Sequence, residues 1–298
     1  MMHVWRFIQE RYPLFITIPL CIIVTLSLIP SIDTGKYHNH LLLTLLAVLT
    51  TWLGLLLLRA ADDLHSIQAD RDKSPHRGLV TGYIQASALR RICILILVLL
   101  IFLHVQNWIG VVILCFLTVY YWLWFKLSPR LPILLRPFGS NFIFAVIPFY
   151  IGAVHKIPWQ VESLYVAGFL YFAVIAHEYA HNIQPDKGDE QDEHELEPTS
   201  TPLTYTQIIG ARGTALLAGL LFASSFICGA ITASIMKEGA FLIALIIHML
   251  VNTYLIGRLI YQPTSKLSQK FYVLGFTFFI IPLAVRIIVR VINTINIL

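Results

Sequence analysis

Runs of about twenty mostly apolar residues recur along this chain, each long enough for a helix to cross the hydrocarbon core of a bilayer. They occupy 13–32, 41–60, 88–107, 108–127, 137–155, 162–182, 213–236, 239–262 and 270–294. Backbone inside lipid must satisfy its own hydrogen bonds, so all nine are expected as helices. The chain is read as an all-α, polytopic membrane protein forming a single domain over 1–298, with Gln106 and Asn107 making a tight turn between the third and fourth runs. Composition agrees: only 12% of residues are charged, against about 25% in soluble domains. Met1 to Pro13 lacks the pattern of a cleavable signal. Cys21, Cys93, Cys115 and Cys228 lie inside apolar runs without metal spacing and read as small hydrophobes. The basic residues flank spans and form no stripe, which argues against nucleic-acid binding.

Lysine and arginine bias sets topology. Placing the N-terminus in the cytoplasm leaves Lys36, Lys156, Lys237, Arg286 and Arg290 on the far side and the other sixteen basic residues inside. The long loops 61–87, 127–136 and 183–212 then all face the cytoplasm.

The first of these loops crowds charge against a span. Asp62, Ser66 and Asp70 are spaced to stack on one helical face, with Asp63 beside them. Like charges in adjacent turns repel, so such a face suits a cation, and magnesium binds through one or two carboxylates plus substrate phosphates. Arg71, Lys73 and Arg77 supply positive charge for phosphate oxygens. A solvated helix end that fixes topology is the plainer alternative. A second acidic stretch begins at Asp186 and runs to Glu195, and Asp186 to Pro202 is expected to be mobile without ligand.

Just before it, His177-Glu178-Tyr179-Ala180-His181 spells H-E-x-x-H, which on a helix places two histidines on one face for zinc with the glutamate as base. Catalytic zinc needs a third protein ligand, and none stands in a pattern here. Arg130 and Arg136 either cap a phosphate or anchor the interface. Asn141 either orients substrate or packs helices. His248 and Asn252, spaced i, i+4, are expected to form an interhelical hydrogen bond. Aromatic residues from Tyr120 to Phe125 and Tyr165 to Phe172 either line a tunnel or face lipid.

The first segment resembles the signature of the UbiA superfamily of intramembrane prenyltransferases, N-D-x-x-D-x-x-x-D followed by a K-P-x-R-P-L-P-S-G-like run. Asp62 stands at the Asn position, Asp63 at the first Asp and Asp70 at the last, and Pro75, Arg77, Leu79, Thr81 and Gly82 follow the downstream run. Ser66 replaces the middle Asp and Gly78 the usual Pro. Glu178, Ile183, Gly188 and Asp189 match the family's second motif, and Thr204 to Ala215 resembles the entry into its seventh helix. The resemblance implies nine helices around a central cavity and magnesium-dependent transfer from a polyprenyl diphosphate to a hydrophobic, aromatic or lipid-like acceptor. Asp62, Asp63, Asp70, Asn182, Asp186 and Asp189 are then the metal ligands. Arg71, Lys73, Arg77, Arg130 and Asn141 are the diphosphate contacts, and Glu178 and His181 the proton acceptors. The same superfamily resemblance leaves a terpene cyclase, acting without acceptor, as an alternative, and the H-E-x-x-H run leaves an intramembrane zinc protease.

Overall fold

The computed structural model describes residues 2–29, 40–157, 159–181, 183 and 205–295, and among these there is no strand. Among the described residues, eight helical segments are long and apolar enough to span a membrane: Leu41–His65, Ala86–Leu103, Trp108–Arg130, Ile133–Val154, Val161–His181, Tyr205–Ile235, Gly239–Tyr261 and Lys266–Asn293. The first expected run behaves differently. Helix α1 (Met2–Arg11) and α2 (Leu14–Leu28) together reach the length of a span but are bent by 74°. Pro13 stands at the break, where its ring fixes φ and its missing N–H interrupts the helical ladder.

The chain forms two compact units, 1–129 with 149–159, and 130–148 with 160–298. In the first, α3 (His40–His65) packs on α2 and on α5 (Ala86–Leu103), and the short α4 (Ile67–Lys73) continues beyond it. Helix α3 runs one turn past the expected end at residue 60. Arg59, Ala60 and Ala61 are good helix formers. Arg59 also pairs with Asp62 at 3.7 Å and Asp63 at 3.1 Å, the i+3 and i+4 neighbours that support a last turn. The expected turn between α5 and α6 (Trp108–Leu127) is present. The Asn107 side chain accepts from Gly110 N at 3.2 Å and donates to Ala153 O at 2.8 Å. Beside it, buried His104 places Nδ1 2.7 Å from the Leu100 carbonyl, which can only accept. Nδ1 therefore carries the proton, and Nε2 accepts from the Tyr150 hydroxyl at 2.7 Å. Burial holds this imidazole below its ordinary pKa.

The second unit contains α7 (Arg136–Ser140), the first half of α8 (Ile143–Val154) as far as Pro148, α9 (Val161–His181), α10 (Tyr205–Ile235), α11 (Gly239–Tyr261) and α12 (Ser265–Ile295). Helix α9 packs against α10 and α12, and α11 against α10 and α12. Small residues allow the close approach: a Cβ at Gly168, Gly219 or Gly229 would come within 2.8, 2.9 and 2.8 Å of Cys228, Ile256 and Leu245. Ser225 donates across to Phe169 O at 2.7 Å. Helix α10 begins at Tyr205, ahead of the run expected from 213, and kinks at Gly210. That residue has φ 72° and ψ 163°, a region open essentially to glycine alone.

Charge is also buried here. Glu238 pairs with Arg286 at 2.6 Å and with Arg290 at 2.7 Å, and the Arg286 side chain is only 4% exposed. Both arginines lie within the last expected run, 270–294, and are the partners of a carboxylate at the start of α11, because an arginine inside a bundle needs a counterion.

Two substitutions test this packing. Glu238→Ala strands a buried guanidinium and is expected to cost about 3–5 kcal/mol, seen as a large drop in thermal stability of the detergent-solubilised protein. Gly210→Ala has open space for its methyl but the wrong backbone conformation, so thermal unfolding is expected to show a loss of about 1–3 kcal/mol.

Candidate functional site

The first acidic segment is nearly continuous helix. Ser66 N bonds to Asp62 O at 2.9 Å and Asp70 N to Ser66 O at 2.8 Å, so the helical ladder is carried across the join between α3 and α4. The stacked face expected at 62, 66 and 70 is realised where Ser66 Oγ donates to Asp70 Oδ2 at 3.3 Å. The same Oδ2 receives the Arg77 guanidinium in a close ion pair. Asp62 is half exposed, with Arg59 at 3.7 Å.

Asp63 is handled differently. Its side chain is 5% exposed and both oxygens are engaged. Arg11 donates from Nε to Oδ2 at 2.7 Å and from Nη2 to Oδ1 at 3.0 Å, and Arg59 Nη2 lies 3.1 Å from Oδ1. This is the planar, two-pronged pairing that arginine makes with carboxylates. Arg71 is exposed, and Lys73 closes α4, its side chain lying outside the described residues. The chain then turns through 74–85, with Gly78 N donating to Glu10 Oε1 at 3.0 Å and Gly82 at φ 78°.

These donors answer unevenly to the magnesium expectation. Asp63 does not fit as a ligand, since guanidinium groups already occupy both its oxygens. Asp62, half exposed and with Arg59 only at 3.7 Å from its Oδ2, and Asp70 through its Oδ1 do fit. Among the described residues no three His, Cys, Asp or Glu side chains gather as a complete site. Asn182, Asp186 and Asp189 lie outside the described residues.

In the second unit, α9 carries Glu178 and His181 in its last turn. Tyr179 donates to Leu134 O and Tyr171 to Phe138 O at 2.7 Å, which fixes this helix against the segment around α7. Just beyond α9, Ile183 O accepts from Ser268 Oγ of α12 at 2.5 Å. The two histidines of the H-E-x-x-H run pack on one aromatic ring. His177 stacks on Tyr272 at 4.7 Å, and His181 meets the same ring edge-on at 4.7 Å. Zinc gains no support from that arrangement.

Arg130 is exposed, and Arg136 directs Nε to Leu131 O at 3.3 Å. Asn141 donates its amide to Pro137 O at 3.0 Å, on its own turn. The interhelical bond expected of His248 and Asn252 is not made by the pair as pictured. His248 Nδ1 lies 3.0 Å from Ala244 O of its own helix, and Asn252 is fully buried with no side-chain hydrogen bond. Helix periodicity puts the two on one face but says nothing about what stands opposite.

Arg11, Glu10 and Arg59 were not among the expected site residues. The i, i+4 spacing of Arg59 and Asp63 was a readable signal. Arg11 lies 52 residues from its partner, and no local pattern points to it.

Neither a protein-family model nor a curated protein sequence matches this chain. A solved structure of digeranylgeranylglyceryl phosphate synthase, a membrane prenyltransferase of the UbiA superfamily, matches with a TM-score of 0.69, covering 97% of this chain and 98% of that one at 15% identity. The fold is UbiA-like. With its apolar helices, that makes the chain an integral, multi-pass membrane protein. On a UbiA-like fold the end of α3 is the part where the resemblance expects open acidic ligands, and here one of the three described carboxylates is closed by arginine.

The difference has a measurable sign. In metal-free protein, Asp63→Asn is expected to lower stability by about 1–3 kcal/mol, because it leaves part-buried donors unmatched. Asp62→Asn should stay within about 0.5 kcal/mol. Thermal unfolding in EDTA distinguishes the two; a stabilising Asp63→Asn would instead mark mutually repelling carboxylates.

Proposed function

We propose that this protein transfers a prenyl group from a polyprenyl diphosphate to a hydrophobic acceptor, aromatic or lipid-like, inside the membrane. The observation that carries the reading is the gathering of Asp62, Asp63, Asp70 and Arg77, the residues of the first UbiA-like motif, at one helix end of a UbiA-like fold. The lysine and arginine bias supports a cytoplasmic N-terminus and a cytoplasmic donor site.

The chemistry asks little covalent work of the protein. The allylic C–O bond breaks and its electron pair leaves with the diphosphate. Arg77, with Arg71 and Lys73 near it in sequence, opposes the growing negative charge through charge-assisted hydrogen bonds. The acceptor gives an electron pair to the allylic carbon and loses a proton, which this reading assigns to Glu178 or His181. Apolar helices keep water from capturing the cation. Asp62 and Asp70 would hold magnesium, with Asn182, Asp186 and Asp189 as the partners the resemblance assigns. When bound, that ion supplies positive charge for the departing diphosphate.

The test is turnover by the purified protein with C10 to C20 allylic diphosphates, with acceptor candidates drawn from mass spectrometry of its co-purified lipids. Diphosphate release that depends on acceptor is expected, and Arg77→Ala should slow it at least about 100-fold. Release without acceptor, giving a hydrocarbon or alcohol, would reassign the protein as a cyclase. Intact donor under every condition ends the proposal.

A further inference from the structure

Helix α1 lies against residues 63–83 through four of its ten residues, His3, Arg6, Glu10 and Arg11. His3, Arg6, Phe7 and Glu10 share one stripe by their i, i+3, i+4, i+7 spacing. Phe7 is 1% exposed and anchors the helix. The Arg6 guanidinium sits 3.9 Å above the Tyr83 ring, and His3 Nδ1 is 3.3 Å from Tyr83 O. Glu10 receives the Gly78 N–H on both carboxylate oxygens, at 3.0 and 3.3 Å. Arg11, at the end of the helix, clamps Asp63.

Two of the departures from the UbiA-like pattern, at positions 78 and 66, can be set against these contacts. Position 78 is Pro in the pattern and Gly here. A proline has no N–H to offer Glu10, and even a bare Cβ would come within 2.6 Å of Glu10 Oε2 and 2.9 Å of Ile84 Cδ1. The residue at 78 supplies the N–H that Glu10 accepts. Position 66 is Asp in the pattern and Ser here, while position 62 is Asn in the pattern and Asp here, so the number of carboxylates is kept and one has moved from the middle position to the first. At the same site Asp63 is bound by a guanidinium from another helix. The described carboxylates Asp62, Asp63 and Asp70 are thereby matched by Arg11, Arg59 and Arg77. A divalent ion at Asp63 would have to displace a bidentate, largely buried ion pair.

We propose that α1 is part of the diphosphate site, and that Arg11, clamped on Asp63, is a fixed cation standing where the motif otherwise carries a divalent metal. This rests on the diphosphate reading given above. The first motif then grips a diphosphate through guanidinium groups, with a reduced need for magnesium in this half of the site. Glu10 and Gly78 hold α1 in place and are positioning residues for Arg11.

The experiment uses the full chain in lipid nanodiscs, with inorganic pyrophosphate binding followed by calorimetry and Mn²⁺ binding, as a magnesium surrogate, by electron paramagnetic resonance. The unaltered protein is expected to bind pyrophosphate in EDTA. Arg11→Ala should weaken that binding at least tenfold and, by freeing Asp63, tighten Mn²⁺ binding at least tenfold. A residue with a merely structural role would not gain metal. Arg11→Lys keeps the charge but not the two-pronged geometry and should fall between. Gly78→Pro, which leaves Arg11 and Asp63 intact but removes the tether, should shift both readouts in the direction of Arg11→Ala. Should Arg11→Ala fail to fold, Arg11→Lys and Gly78→Pro decide on the same measurements. Pyrophosphate binding that vanishes in EDTA, or variants that leave Mn²⁺ affinity unchanged, overturns the proposal. Neither readout involves turnover. Binding as described with no prenyl transfer therefore defeats only the prenyltransferase reading, and transfer with unchanged metal affinity defeats only this one.

Discussion

A carboxylate at the end of a membrane helix, shut away from water, stays charged only if something positive replaces its hydration. Asp63 is such a group, and two guanidinium groups do this for it. One comes from its own helix, four residues back, and extends α3 past the apolar run. The other comes from α1 and commits that helix to lie across the motif instead of continuing straight into α2. The docking of Phe7, the contact of Glu10 with Gly78 and the packing of Arg6 on Tyr83 all depend on α1 being held there.

The second unit meets the same constraint with the same stoichiometry. Glu238 at the start of α11 takes two arginines from α12, one of them almost wholly buried. No motif surrounds that trio, and its place is between two packed helices. The comparison separates two uses of one device. In α11 and α12 the ion pairs join spans, whereas around Asp63 they join a motif that also carries half-exposed Asp62 and the Asp70–Arg77 pair. Exposure of charge beside buried charge is what distinguishes a site from a clasp.

The H-E-x-x-H run shows what helical spacing leaves open. Helical spacing does place His177 and His181 on one face, as zinc ligation requires. What faces them is Tyr272, and both imidazoles pack on its ring. An imidazole in an aromatic contact gains dispersion. The adjacent Tyr179 is buried by its bond to Leu134 O, so this stretch of α9 serves packing on two sides.

What the sequence by itself determined is whatever obeys local periodicity. The apolar runs set the spans, and Asn107 set the α5–α6 turn. The spacing of residues 62, 66 and 70 set a shared face, which the Ser66–Asp70 bond realises. The tertiary structure alone decided which charges meet. Arg11 finds Asp63 across 52 residues, Gly78 finds Glu10 across 68, and Tyr272 covers two histidines on another helix. Periodicity fixes which way a side chain points along its own helix. The partner waiting there is chosen by the packing of helices, where burying a charge or an N–H without a match costs more than any local preference can return.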